Sequence, residues 1–412
     1  MSERLGVDVA GHVVGCGAFL VLTLTCSLVL AVGKASASHV SCGDEITADT
    51  TLDSDLIDCP NNGVVIGADD ITLDLDGHLI DGDGTEAAGC DPKQELCDFG
   101  VANDGHDGVT VLDGEVREFG VGVLVGGARK NRVVKISSTT HTFFGAVFGG
   151  STRSVIRRSS LSRNIAPEGD GIGVFGSDRI RIVDNKIRRN PGPGIHLFDS
   201  KKSLVKKNVF SRNGPALLME KADRNEVQRN RVSKGGGILV APGNQNVIAH
   251  NRVSRALDSI AIDKGRGNRV AGNVVGRARK VGIRLGFPGF GGANNVVRRN
   301  LVRGSGTDGY LVSDEDDHSL LKRNVARRNG DDGFDVESDS AKLTRNRAVR
   351  NRDLGIEAVA GVIDGGGNRA HGNGDPAQCS NIACTESSAV LNHSGRSVRP
   401  VDVKLAEGAP LD

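Results

Sequence analysis

Three acidic residues near the C-terminal end of the sequence are expected to be close neighbours in two successive repeats. Asp335 and Glu337 are two residues apart, and Glu357 follows one repeat later. Crowded carboxylates raise one another's pKa, as general acid–base catalysis requires, and a carboxyl pair can cleave a glycosidic bond. We therefore predict a catalytic site at these three residues, with Arg284 as their charge partner. A solvated acidic face with turn-forming Asp-Gly pairs is the alternative.

An acidic turn follows the strand in two neighbouring repeats. It reads Ser313-Asp-Glu-Asp-Asp-His318 in one repeat and Glu337-Ser-Asp339 in the next. Stacked turns of this kind offer hard oxygen ligands for Ca²⁺. The predicted calcium ligands are Glu315, Asp316, Asp317 and Asp339. Because no spacing here matches a known calcium loop, an ordinary acidic turn is the alternative.

Basic residues recur in most repeats, although the chain as a whole is nearly neutral. Lys and Arg total 52 against 51 Asp and Glu, so the net charge predicts no nucleic-acid partner. Aligned in register, however, the arginines form stripes that suit an extended polyanion such as a uronate or sulfated glycan. The predicted polyanion-binding residues are Arg299, Arg323, Arg345, Arg328 and Arg350. Simple solvation of outward corners is the alternative.

A short phrase with two asparagines sets this register. It reads Asn225-Glu-Val227-Gln-Arg-Asn230 in one repeat and Asn246-Val-Ile248-Ala-His-Asn251 in the next. The period is about 22 residues, and a second strand, usually opened by glycine, follows each phrase. Asparagine suits a corner because it bonds free backbone groups and tolerates a left-handed conformation. The predicted structural ladder is Asn185, Asn208, Asn230, Asn251, Asn273, Asn300, Asn324 and Asn346.

Short strands with period-two alternation and glycine- or asparagine-rich corners predict an all-β fold. The class is a single-stranded parallel β-helix, a solenoid of about ten coils. Such coils stack about 4.8 Å apart, so equivalent positions become neighbours. We place an N-terminal cap at 38–62, the repeat domain at 63–384 and a flexible tail at 385–412, and we expect a monomer.

The N-terminal segment carries the features of an export signal. Residues 13–32 are almost wholly apolar, and Ala35-Ser36-Ala37 offers a cleavage site, so we predict a signal peptide over 1–37 and a secreted protein. Because the apolar run is also long enough to span a bilayer, an N-terminal membrane anchor is the alternative. Cleavage leaves six cysteines, whose clustering favours three local disulfides: Cys42–Cys59, Cys90–Cys97 and Cys379–Cys384.

The repeat phrase resembles the right-handed parallel β-helix repeats of the pectate-lyase-like superfamily. The opening segments Cys42-Gly-Asp-Glu-Ile-Thr and Ile66-Gly-Ala-Asp-Asp-Ile-Thr-Leu-Asp-Leu-Asp-Gly-His are similar to exported bacterial β-helix proteins. The superfamily includes pectate lyases, polygalacturonases, alginate epimerases and β-helix proteins of copper-protein maturation. The resemblance extends over residues 60–384 and implies a right-handed solenoid.

The activity motifs of that superfamily are missing from this sequence. It lacks the Asn-Thr-Asp, Gly-His-Gly and Arg-Ile-Lys motifs of polygalacturonases, and two methionines and scattered histidines do not suggest a copper site. We therefore expect an exported protein that binds or modifies an acidic polysaccharide by lyase, epimerase or hydrolase chemistry, with Ca²⁺ as the one cofactor suggested. A non-catalytic extracellular scaffold is the alternative, and the sequence leaves open whether the protein is an enzyme.

Overall fold

The computed structural model describes residues 37–85, 97–165 and 169–385. These residues form a parallel β-helix of short strands, as the sequence predicts. Within them, no helix has the length and apolar character needed to cross a membrane. The predicted signal peptide, except residue 37, and the predicted tail, except residue 385, lie outside the described residues.

The larger of two parallel sheets contributes two strands to each regular coil. Its 28 strands are β1 (Ala37–Ser38), β3 (Thr50–Leu52), β4 (Leu56–Cys59), β6 (Thr72–Asp74), β7 (Leu79–Gly82), β9 (Thr110–Arg117), β11 (Arg132–Thr139), β13 (Val155–Arg157), β14 (Ser160–Ser162), β16 (Arg181–Val183), β17 (Lys186–Arg188), β19 (Leu204–Lys206), β20 (Val209–Asn213), β22 (Glu226–Gln228), β23 (Arg231–Gly235), β25 (Val247–Ala249), β26 (Arg252–Ala256), β28 (Arg269–Ala271), β29 (Val274–Gly276), β31 (Val296–Arg298), β32 (Leu301–Arg303), β34 (Leu320–Lys322), β35 (Val325–Arg327), β37 (Lys342–Thr344), β38 (Arg347–Val349), β40 (Ile363–Asp364), β41 (Asn368–His371) and β42 (Cys384–Thr385).

The smaller sheet contributes one strand to each coil. Its 14 strands are β2 (Asp44–Ile46), β5 (Val64–Ile66), β8 (Phe99–Asp104), β10 (Val121–Gly126), β12 (Phe144–Gly149), β15 (Asp170–Phe175), β18 (Ile195–Phe198), β21 (Leu217–Glu220), β24 (Ile238–Val240), β27 (Ile260–Ile262), β30 (Ile283–Leu285), β33 (Tyr310–Val312), β36 (Phe334–Val336) and β39 (Ile356–Ala358).

Alternating side chains divide each strand between the core and the surface. In β33, Tyr310 and Val312 are each 1% exposed, whereas Leu311 between them points outward. Because the coils pair in register, each inward side chain stacks on its equivalent in the next coil. Tyr310 and Phe334 show this as rings stacked 4.5 Å apart. The core is therefore a continuous apolar column rather than a single central cluster.

The solenoid has more coils than the sequence predicts. The 14 strands of the smaller sheet mark 14 coils, not about ten. The asparagine phrase begins only after the first coils, so counting that phrase misses the opening of the solenoid. Residues 38–62, predicted as a cap, contribute β2, β3 and β4, which pair with β5, β6 and β7.

Three ladders of buried polar side chains follow the corners of the coils. Corner 1 carries Asn131, Ser154, Ser203, Asn225, Asn246, Asn268, Asn295 and Ser319. Corner 2 carries the predicted ladder, Asn185 to Asn346, which Ser159 extends at one end and Asn368 at the other. Corner 3 carries His141, Asn164, Asn190 and Asn213, then Ser305, Asn329, Asn351 and Asn373. Between its two halves Gly235, Ala256 and Ala278 occupy the corner, so its ladder is interrupted there.

The ladder asparagines do not adopt the left-handed conformation that asparagine tolerates. That conformation belongs to the residue just before each one: Lys207 has a φ of 58° before Asn208, and Arg229 has 56° before Asn230. The reason is that the two residues at the corner have different roles. The short amide must point inward to bond the adjacent coil, so the preceding residue makes the turn and directs its side chain into solvent.

Disulfides close both ends of the described solenoid, as predicted. Cys42 bonds Cys59, and Cys379 bonds Cys384. Cys97 is also disulfide-bonded, and its predicted partner, Cys90, lies outside the described residues. Because the first and last strands have unpaired edges, crosslinks at these positions hold the parts of the solenoid that pairing secures least.

Candidate functional site

The outward positions of the 14-stranded sheet form a row with one residue per coil. We call it the front row; it reads Gly173, His196, Leu218, Leu239, Ala261, Arg284, Leu311, Asp335 and Glu357. This is the alignment that the glycine-opened strands predict. With coils about 4.8 Å apart, the row is on the order of 40 Å long, enough for an extended polymer.

Carboxylates gather at the C-terminal end of the front row. Asp335 and Glu357 are register partners on β36 and β39. Asp332 is 4% exposed, and its side chain is hydrogen-bonded to that of Glu357. Asp308 and Glu337 lie close enough to Asp335 for their negative charges to raise its pKa. These five residues, the acidic cluster, contain the three acids predicted as catalytic together with Asp308 and Asp332.

Burial keeps part of the acidic cluster protonated. Burial, followed by the negative charges of neighbouring carboxylates, raises the pKa of Asp335 to about 7. Burial also raises the pKa of Asp308. It raises the pKa of Asp332 as well, and the hydrogen bond that protonated Asp332 donates to the Glu357 carboxylate adds to that rise. At neutral pH the cluster therefore holds both protons and charges, as a general acid and a general base require.

Arg284 is not a charge partner of the acidic cluster. Its guanidinium lies 3.1 Å from a carboxylate oxygen of Asp263 and 3.5 Å from one of Asp258. Leu311 separates it from Asp335 on the front row. The prediction was wrong because Asp258 and Asp263, which flank β27 in the adjacent coil, form ion pairs with the guanidinium of Arg284.

A cavity of about 410 Å³ opens beside the middle of the front row. Its walls include Pro215 and Leu257, and Arg284 lies at its edge. The cavity lies where the corner 3 ladder is interrupted, between Asn213 and Ser305. Small residues replace the amides there, so the segment between corner 3 and the sheet is left without side chains to fill it.

A second polar group, not predicted from the sequence, lies toward the N-terminal end of the front row. The imidazole Nε2 of His196 lies 2.8 Å from Glu220 Oε2, and its Nδ1 lies 3.6 Å from Asp170 Oδ2. Burial lowers the pKa of His196, but hydrogen bonds to these acids more than offset that, and the net pKa is raised. The rings of Phe175 and Phe198 meet the imidazole edge-on.

The sequence contains a signal for this group. His196 lies on the predicted front row, and Phe198 and Glu220 are neighbours on the next outward row. Reading the two rows together pairs an imidazole with a carboxylate beside aromatic rings. Neither row taken alone reveals this combination.

The four predicted calcium ligands are not brought together. Asp316 is fully buried, where it accepts hydrogen bonds from Asn295 and Ser319 and so belongs to the corner 1 ladder. Glu315 is exposed and accepts from the backbone of Gly289. Within the described residues, the carboxylates that converge are instead those of Asp331, Asp332 and Asp353, whose oxygens lie within 4.8 Å of one another.

The predicted polyanion-binding arginines lie on two separate corners. Arg299, Arg323 and Arg345 precede the corner 2 ladder, whereas Arg328 and Arg350 precede the corner 3 ladder. All five have a positive φ and point into solvent. The five arginines therefore lie in two stripes, on either side of the second strand of the larger sheet.

Comparison with known families identifies the fold. The model of the right-handed beta helix region matches residues 99–241, 170–290 and 234–374, which overlap and together run from 99 to 374. The chain belongs to the right-handed beta-helix family. The resemblance predicted from the asparagine phrase is thus confirmed, including the handedness of the solenoid. No curated protein matches this beta-helix chain.

Solved structures with the same fold share little sequence with this beta-helix protein. DFA-IIIase from Arthrobacter chlorophenolicus A6 in complex with GF2 is 14% identical, with a TM-score of 0.45 over 67% of this chain and 69% of that chain. The A-module of the mannuronan C-5 epimerase AlgE4 from Azotobacter vinelandii is 15% identical, with a TM-score of 0.43 over 74% of this chain and 79% of that chain.

Proposed function

We propose that the protein is an exported enzyme that binds a polysaccharide along the front row and hydrolyses it at the acidic cluster. One observation carries this proposal: a half-buried Asp335 with a pKa of about 7 lies beside the hydrogen-bonded pair Asp332 and Glu357. A solvated acidic face would keep its carboxylates apart and ionised. Here burial and crowding produce the mixed protonation that catalysis uses.

Each carboxyl group of the site has a distinct role in the proposed reaction. Asp335 in its acid form gives its proton to the glycosidic oxygen, so that the bond between this oxygen and the anomeric carbon breaks. The carboxylate of the Asp332–Glu357 pair removes a proton from a water molecule, whose oxygen bonds to the anomeric carbon. The proton from water replaces the one that Asp335 gave up once the groups re-equilibrate with solvent.

The surroundings of the cluster favour hydrolysis over β-elimination. A uronate lyase needs a cation beside its base to neutralise the substrate carboxylate. Arg284, the cation predicted for that role, is held by Asp258 and Asp263. Among the described residues, the cluster therefore has an acid and a base but no paired cation. An acid and a base are the two groups that glycoside hydrolysis requires.

Other features of the front row suit a bound glycan chain. The cavity with Pro215 and Leu257 offers an apolar surface for a sugar ring, and Phe198 is 36% exposed toward the N-terminal end. The two terminal disulfides support export as part of the proposal. Calcium remains a prediction, for which Asp331, Asp332 and Asp353 offer the oxygen donors that this ion prefers.

A product assay over a panel of polysaccharides tests the proposed reaction. Polygalacturonate, alginate, xylan and β-glucan are incubated with the protein, with and without Ca²⁺, and both reducing ends and unsaturated products are measured. We expect new reducing ends without unsaturation, and a loss of about 100-fold or more in Glu357→Gln because the base is removed. Glu315→Gln, which removes an exposed carboxylate, is the control and should keep full activity.

The same assay separates the enzyme from a binding scaffold. The scaffold is supported by the corner ladders, which explain the most regular polar residues of the chain by structure alone. Unsaturated products would show that the enzyme is a lyase and not a hydrolase. Binding to the panel without any product would leave the scaffold as the function.

A further inference from the structure

A cleft of about 460 Å³ lies on corner 3, on the side that faces away from the acidic cluster's strands. Its lining is Ser254, Arg255, Gly276, Arg277, Arg303, Gly304 and Arg328. We call it the arginine cleft. Its charged side chains all carry the same sign, in contrast to the mixed charges around Arg284.

Two adjacent positions of each coil form the cleft, and large and small residues alternate between them. The last outward position of the strand before corner 3 reads Ser254, Gly276, Arg303 and Arg327 in successive coils. The corner position that follows reads Arg255, Arg277, Gly304 and Arg328. Where one position is an arginine, the other is small in the first three coils, so each coil supplies a cation and leaves an open space beside it.

The glycines let the arginine side chains lie across neighbouring coils. A Cβ at Gly276 would stand 3.8 Å from Arg303 Nε, and one at Gly304 would stand 3.9 Å from Arg277 Cγ. The two side chains therefore pass over backbone rather than over other side chains. This places several guanidinium groups around one hollow.

No acid neutralises these guanidinium groups within the part of the chain that the structure describes. The arginines that form ion pairs there are Arg117 and Arg284, both outside the cleft. Arg327, the register neighbour of Arg303, has a buried Nε without a hydrogen-bond partner. Arg327 itself lies outside the lining; the four arginines that line the cleft form no ion pair among the described residues, and this uncompensated positive charge favours an anionic ligand.

We propose that the arginine cleft binds the carboxylate or sulfate groups of an anionic polysaccharide. Guanidinium groups bind such planar or tetrahedral oxyanions through two hydrogen bonds at a time. The four coils that line the cleft span about 15 Å along the axis, so it suits repeated charges on a chain better than a single ion. Its lining has no aromatic ring on which a nucleic-acid base could stack.

This inference stands apart from the proposed hydrolysis because it concerns binding only. In the coil of β35 and β36 the two sites follow each other along the chain, with Arg328 four residues before Asp332. A polymer anchored in the cleft would thus be kept near the acidic cluster, and the local concentration of substrate would rise. The cleft can nevertheless bind its ligand if the acidic cluster is inert.

Binding of defined polymers to matched charge variants tests the proposal. Polygalacturonate tests carboxylates, dextran sulfate tests sulfates, and neutral dextran and a single-stranded oligonucleotide are comparison ligands. In Arg277→Gln/Arg328→Gln we expect the Kd for the preferred polyanion to rise at least tenfold, with a weaker salt dependence. The control, Arg158→Gln/Arg229→Gln, removes the same charge from left-handed residues on corner 2 that are not among the predicted polyanion-binding residues, and it should change the Kd less than threefold.

Three outcomes would overturn the proposal. Equal weakening in the two double variants would mean that binding depends on overall charge rather than on the cleft. If neither acidic polymer bound the native protein, an anionic polysaccharide would be excluded as the ligand of the cleft. An oligonucleotide bound more tightly than either polysaccharide would assign the cleft to nucleic acid instead. Thermal melting of each variant, expected to be unchanged, ensures that the comparison concerns folded protein.

Discussion

Replacement of Asp335 by Asn is expected to abolish turnover and at the same time to stabilise the protein at pH 8. The loss of activity should be on the order of 100- to 10,000-fold, because Asn cannot give a proton to the leaving group. The gain in the free energy of unfolding at pH 8 should be on the order of 2–4 kcal/mol, after allowance for solvent screening of a half-buried group. A residue retained only for structure would give the opposite change in stability.

The pH dependence of that gain follows from the two pKa values of Asp335. The carboxyl titrates near its ordinary value of 3.8 in the unfolded chain and at about 7 in the folded protein. The folded state therefore holds the proton more tightly, and the native protein loses stability as the pH rises from about 4 to about 7. The Asn variant lacks this loss, so the difference between the two proteins should be small at pH 4 and level off above pH 7.

Chemical denaturation at a series of pH values, together with turnover at each, measures both effects. Asp184→Asn is the matched control, because Asp184 is exposed on corner 2 in a left-handed conformation that Asn also adopts. It should change neither stability nor turnover. An Asp335→Asn variant that keeps its activity, or that is less stable than the native protein at pH 8, would exclude Asp335 as the acid.

Replacement of Asn251 by Ala is expected to destabilise the solenoid by about 3–5 kcal/mol. Its Oδ1 accepts hydrogen bonds from the backbone N and the Nδ2 of Asn230, at 2.9 and 3.0 Å. Its Nδ2 donates to the carbonyl of Val227 at 2.8 Å. Alanine would remove all three bonds and leave the backbone N of Asn230 and the carbonyl of Val227 without this side-chain partner, whereas Asn230 Nδ2 would keep its bond to the carbonyl of Val205. In a solenoid the effect should extend to the neighbouring coils, because each coil is stabilised mainly by the next.

The chain itself supplies a conservative variant for this test. Ser159 occupies the corner 2 ladder one coil before Asn185 and accepts a backbone hydrogen bond as the asparagines do. Asn251→Ser should therefore cost less than Asn251→Ala, since its hydroxyl can still accept from Asn230. Urea unfolding and amide hydrogen exchange in the coils on either side measure the difference. A cost of under 1 kcal/mol for the alanine variant would show that the ladder contributes little.

The fold and the alignment of the front row could be predicted from the sequence because both follow from local periodicity. An apolar residue at every second position and a corner amide once per coil determine which residues stack. Asp335 and Glu357 become neighbours by that rule alone. The same rule places Asp263 on the outward row next to Arg284, but it does not show that Asp263 and Asp258 hold the guanidinium, because the direction of a long side chain depends on packing.

Side-chain direction at the corners also depends on contacts that the sequence does not display. Asp316 sits in a run of acids and looks like a surface ligand, yet it turns inward to bond Asn295. The left-handed residues are mostly arginine and lysine, which have no special preference for that conformation. They occupy it because the next residue turns its amide side chain inward. The residue before it must then make the turn and point its side chain outward.

The pH–rate profile of the native protein, on the polysaccharide it hydrolyses, tests the central claim most directly. If Asp335 in its acid form protonates the leaving group, kcat/KM should fall tenfold for each pH unit above about 7, where the pKa of this residue lies. A rate that stays level or rises between pH 6 and pH 9 would contradict the account, because the acidic cluster would then not supply the proton.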